Sequence, residues 1–155
     1  MSTSESPQLA LLRVQLDSLQ RLLDGLEFSL VRLDDVAMAR VASDPEVTER
    51  LAALTDRFTK LQDQLAASFK HAYSLTGARD RSYDDVVRWA CTHCFVSSAV
   101  FWTELRALRN QLTHEYSSEP QHAAELVVMI RQASAPLQQT VQSFKLWCHG
   151  NLIGA

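Results

Sequence analysis

With 155 residues, 46% of them hydrophobic and 21% charged, the chain fits one soluble globular domain, residues 1–155, large enough for a single core. Only four Gly and four Pro argue against an all-β design, which needs frequent turns. A formal net charge of −3 excludes a generally basic, nucleic-acid-coating surface, although a local arginine cluster on an acidic body stays compatible with RNA.

The first residues, Met1 to Pro7, are small and polar and lack the basic run of a signal peptide. They are expected to fray. No uninterrupted run of about 18 apolar residues occurs, so no membrane span is expected. Three cysteines, an odd number, fit a reducing cytoplasm better than a disulfide framework.

Leu12, Leu16, Leu19, Leu23, Leu26, Leu30 and Leu33 step by four and three, a heptad seam. Gly25 weakens it by about 1 kcal/mol relative to Ala. Val14, Leu22, Phe28 and Val31 widen the apolar stripe, which favours a bundle helix over a coiled-coil dimer seam. Ser43-Asp44-Pro45-Glu46 reads as the next start, with Ser43 as cap, Glu46 reaching back and Pro45 in the first turn. From Val47, apolar residues Leu51, Leu54, Phe58, Leu61, Leu65 and Phe69 carry that helix to about Ala72, before a loop from Ser74 to Arg81. The short connection predicts that these two helices lie antiparallel.

A third helix starts at Ser82, with Asp84 and Asp85 in its first turn, where the helix dipole favours carboxylates. It carries Val86, Trp89, Ala90 and Cys94. Cys91-Thr92-His93-Cys94 resembles half of a metal site, but no second Cys/His pair of suitable spacing follows and tetrahedral zinc needs more ligands. Neither a metal nor another cofactor is expected. Ser97 or Ser98 caps a fourth helix through Phe101, Leu105, Leu108 and Leu112. Ser118-Glu119-Pro120-Gln121 starts a fifth, with Ala123, Leu126, Val127, Ile130, Leu137, Val141, Phe144 and Trp147 facing inward. Pro136 is expected to kink or split it. The tail from Gly150 to Ala155 is expected to be loose, with Leu152 and Ile153 able to dock. The predicted fold is all-α, one up-and-down bundle of about five helices.

The fourth helix ends in a cluster of functional side chains. Asn110 and His114 are four apart and share a face. Arg109 projects about 100° from Asn110, but its long stem lets the guanidinium swing to the same edge. Arginine holds phosphate bidentately and histidine moves a proton near neutral pH, so the two can handle a phosphodiester. The plain alternative is a solvated Arg109 and a His114 that caps the last carbonyls of the helix.

Arg109, Asn110, His114 and Tyr116 resemble the Arg-x4-His-x-Tyr signature of HEPN-domain proteins, in particular the HepT-like toxins paired with MNT nucleotidyltransferases. The run-up Trp102-Thr103-Glu104-Leu105-Arg106 is similar too, and the pattern extends more weakly from about Leu12 to about Phe144. The resemblance implies a homodimer in which both motifs line one cleft, acting on RNA as a metal-independent endoribonuclease. Arg109 would neutralise the scissile phosphate, His114 would act on the ribose 2′-hydroxyl as general base, and Asn110 would hold His114 or the phosphate. It also implies that Tyr116 receives AMP from a cognate nucleotidyltransferase antitoxin. That partner has to be a separate protein, because this chain has no Gly-Ser pair followed by spaced Asp residues. Two other readings stay open: a non-catalytic HEPN module that binds nucleotide or the transferase, and a helical adaptor that uses its leucine seam.

Overall fold

The computed structural model describes residues 5–79, 82–114 and 119–154, without the side chains of Thr113, His114 and Pro120. Six α-helices follow in order: α1 (Pro7–Val31), α2 (Asp35–Met38), α3 (Pro45–Leu75), α4 (Tyr83–Thr92), α5 (Ala99–His114) and α6 (Pro120–Cys148). A π-helical turn (His149–Ile153) closes the chain. The described residues contain no strand, so the all-α bundle is as the periodicity predicts. One helix more than expected is present because Asp34 caps a short turn in the first connection. Its carboxylate accepts from the Ala37 N–H at 2.8 Å and Ala37 is buried.

The leucine seam of α1 is buried throughout, from Leu12 to Leu33, against α3 and α6. It is therefore the spine of this bundle and not a surface. Val14, Phe28 and Val31 depart from expectation: they stay exposed, Val31 at 77%, while Leu22 packs against the core. Two neighbouring helices cover only one stripe of α1, and those residues lie on its flank. Phe28 instead meets the guanidinium groups of Arg32 and Arg57, 5.1 and 5.7 Å from its ring centre.

Cross-helix contacts fix the directions. Arg57 donates to the Gly25 carbonyl at 3.2 Å and to the Ser29 hydroxyl, whereas His71 meets Gln15 at 2.7 Å, so α3 runs antiparallel to α1. Gly25 now has a reason. A Cβ there would stand 3.3 Å from Arg57 Nε, so the missing side chain makes room for the guanidinium. Arg131 donates to the Leu30 and Leu33 carbonyls at and just past the end of α1, while Lys145 reaches Gln20. Helix α6 therefore also runs against α1. Phe69 packs on Trp102 and Arg109 pairs with Asp63, which sets α5 antiparallel to α3.

Several helix ends differ from the sequence reading. At the start of α3 the cap is Asp44, whose carboxylate accepts from the Glu46 N–H at 3.0 Å, and Ser43 turns back to the Arg40 carbonyl. A carboxylate one residue closer displaces the hydroxyl, and Glu46 pairs forward with Arg50 instead of reaching back. Helix α3 continues to Leu75, three residues past Ala72, because the hydroxyls of Ser74 and Thr76 bond back to the His71 and Tyr73 carbonyls. Ser82 caps α4, and of the two serines before α5 it is Ser98 that accepts from the Phe101 N–H, at 3.0 Å. Glu119 precedes α6 without a side-chain cap, and Ser118 lies outside the described residues. Pro136 does not split α6. Ile130, Ala133, Leu137 and Val141 are buried on both sides of it, and their packing outweighs the roughly 3 kcal/mol that an interior proline costs. Leu152 and Ile153 dock on the core from the terminal π-helical turn.

At the centre Phe69 touches the rings of Phe95, Trp102 and Phe144, with centroids 6.1, 5.4 and 4.9 Å away. No helix among the described residues is long and apolar enough to cross a membrane.

Candidate functional site

Helix α5 carries its buried residues, Trp102, Leu105, Leu108 and Leu112, on one stripe, which turns Arg109 and Asn110 outward. Trp102, part of the run-up to the motif, is a core residue packed on Phe69.

Arg109 does not stand in water alone. Its Nε donates to Asp63 Oδ1 at 3.0 Å and its Nη2 to Asp63 Oδ2 at 2.9 Å, a side-on bidentate pair between α5 and α3. The hydrogen bond to Asp63 holds the Arg109 guanidinium above its usual range; burial opposes it in part, and the Asp63 charge adds a smaller lift. The side chains are 25% and 50% exposed, so solvent screens the pair, and it is worth only about 0–1 kcal/mol. The expected swing of the guanidinium toward Asn110 is present: Nη1 donates to Asn110 Oδ1 at 3.4 Å. Asn110 thus meets Arg109. Because α5 is continuous through His114, that backbone position lies one turn beyond Asn110, about 6 Å along the axis. The His114 side chain and all of Tyr116 lie outside the described residues.

Asp63 is the residue that sequence reasoning missed. It sits on the outer side of α3, 46 positions away, where nothing in the sequence distinguishes it from other surface carboxylates. Gln62, beside it, carried a signal that went unread: it falls seven residues before Phe69, on a core position. It is 1% exposed and neither amide atom has a partner among the described residues. A buried unsatisfied amide costs about 1–3 kcal/mol. Gln62→Met, close in shape, is expected to raise stability by about 1 kcal/mol or more on that ground, read as a higher urea midpoint at constant slope.

Hollows lie on either side of α5. One of about 270 Å³ lies between α3, α4 and α5, beside Lys70, Tyr83, Trp102 and Arg106. The other, about 410 Å³, runs between α5 and α6 past Leu105, Leu108 and Met129. Arg109 lines neither; it occupies open helix surface. No family model, curated protein or solved structure matches this chain.

Proposed function

We propose that the chain is a metal-independent endoribonuclease toxin of HEPN type, working in the cytoplasm as a homodimer. A separate MNT-type nucleotidyltransferase neutralises it by attaching AMP to Tyr116. The observation that supports this reading most is the Arg109 geometry. A guanidinium oriented by Asp63 is in contact with Asn110, whose backbone lies one helical turn before the His114 position, on an open face. A phosphodiester needs both charge stabilisation and proton transfer. On an open face, the walls of a cleft have to come from a second protein surface, and a two-fold copy supplies a second Arg109 and a second His114 with it.

In the proposed step the ribose 2′-oxygen attacks phosphorus while one His114 takes its proton. The bond to the 5′-oxygen breaks, and the other His114 protonates that leaving group. The products are a 2′,3′-cyclic phosphate and a 5′-hydroxyl. Arg109 offsets the charge that builds on the phosphoryl oxygens while its bidentate pair with Asp63 keeps the guanidinium in place.

Expression without the partner is expected to slow growth. The purified dimer should cleave RNA in EDTA, leaving 2′,3′-cyclic ends. Tyr116→Phe should keep the toxicity and escape modification, which mass spectrometry of the co-expressed pair would show as a missing adenylate. The Asp63–Arg109 pair also favours a second reading, because a carboxylate that neutralises the arginine suits a non-catalytic module that binds the transferase. RNA left intact by demonstrably dimeric wild type selects that reading.

A further inference from the structure

The corner between α4 and α5 closes with two nested hydrogen bonds. The Phe95 N–H donates to the Ala90 carbonyl at 3.0 Å and the Cys94 N–H to the Cys91 carbonyl at 3.0 Å, a Schellman motif. Such a corner places one residue in the left-handed region, a position that glycine usually fills because a Cβ is penalised there. Here the residue is Cys94, at φ 58°, the one non-glycine residue with positive φ among the described residues. Packing does not explain the choice. Cys94 is exposed, and the apolar anchor of the corner is its neighbour Phe95, buried among the rings of Phe69, Trp89 and Phe144.

The hydrogen bond that closes the corner also brings Cys91 and Cys94 across one tight turn. A turn of this kind keeps its end Cα atoms within about 7 Å, and disulfides span Cα separations of about 4.4–6.8 Å. Cys91 is half-buried and its thiol is pushed up, by burial first and by Cys94 second, so the two sulfurs sense each other. The third cysteine stands apart: Cys148 is fully buried and its thiol is pushed up to about 12, which removes it as a competing nucleophile near neutral pH.

We propose that Cys91 and Cys94 are a thiol–disulfide redox pair that exchanges with low-molecular-weight disulfides of the glutathione type. The exposed Cys94 loses its proton to solvent and attacks one sulfur of the small disulfide. A mixed disulfide forms and the first small thiolate leaves, taking a proton from water. Cys91, deprotonated in turn, attacks Cys94 Sγ and expels the second small thiolate. Two protein thiols become one disulfide, and one small disulfide becomes two thiols. The new bond ties the end of α4 to the corner that leads, through the Ser98 cap, into the helix bearing Arg109.

Intact-mass measurement of the full chain incubated with oxidised glutathione tests this. Wild type should lose about 2 Da with no lasting adduct and recover its mass in dithiothreitol. Cys91→Ser should stop at a stable glutathione adduct on Cys94, and Cys94→Ser should show neither adduct nor mass loss. Cys94→Gly, which relieves the backbone, should fold with a higher melting temperature and lose the reaction. A wild type that accumulates the mixed disulfide overturns the proposal, as does one that stays fully reduced when oxidised glutathione is in large excess. A lower melting temperature for Cys94→Gly would likewise show that the cysteine is kept for packing.

Discussion

Phe69→Ala is expected to lower stability by about 3–5 kcal/mol. Phe69 is 2% exposed, and its ring is where the end of α3 meets α5, α6 and the corner before α5, through Trp102, Phe144 and Phe95. Truncation removes ring contacts to three partners at once. Phe69 also lines the hollow of about 270 Å³ between α3, α4 and α5, so the space left behind joins an existing void instead of closing. Against a typical total of about 5–15 kcal/mol, a loss of that size leaves a weak or unfolded chain at room temperature. The matched control is Val31→Ala on α1, where 77% exposure predicts a change within about 0.5 kcal/mol. Urea unfolding followed by circular dichroism measures both. Equal midpoints for the two variants would show that the aromatic cluster is not the centre of the core.

What could be read from the sequence was what depends on neighbours in the chain. The α1 seam, the Ser82 cap and the apolar stripe of α3 each follow from spacing or from a residue three positions away, and each is present as expected. The misses have another origin. Asp44 displaced Ser43 because two good caps stood side by side, and local preference cannot rank them without the backbone angle. Val14, Phe28 and Val31 count as apolar in any pattern, but burial depends on how many helices cover α1, a property of the whole bundle. Gly25 read as a weakness until Arg57, 32 positions on, occupied the space beside it. At the candidate site the same division holds. Arg109, Asn110 and His114 are one short motif, legible as chemistry. Asp63 is a tertiary partner, and only the packing of α3 on α5 reveals it.

That partnership makes the sharpest kinetic expectation. On the proposed reading Arg109→Ala should reduce RNA cleavage by about 10²–10³-fold, the usual loss when a group that offsets developing charge is removed. It should also abolish the growth defect while changing stability little, because a screened pair of this exposure contributes about 0–1 kcal/mol. Arg109→Lys should rescue only a small part. A lysine keeps the charge but has no planar fork to take both Asp63 oxygens, so its ammonium is not held in place. Asp63→Ala separates orientation from charge. Without the carboxylate the arginine meets RNA with one negative neighbour fewer, which should tighten binding and lower KM severalfold. The same change removes the bidentate pair that orients the guanidinium, so kcat should fall severalfold as well. Steady-state kinetics on a short RNA at fixed salt, with urea midpoints for each variant, resolve these effects. A higher KM for Asp63→Ala, or an Arg109→Lys variant as active as wild type, would show that the Asp63–Arg109 pair only fastens α5 to α3 and takes no part in handling phosphate.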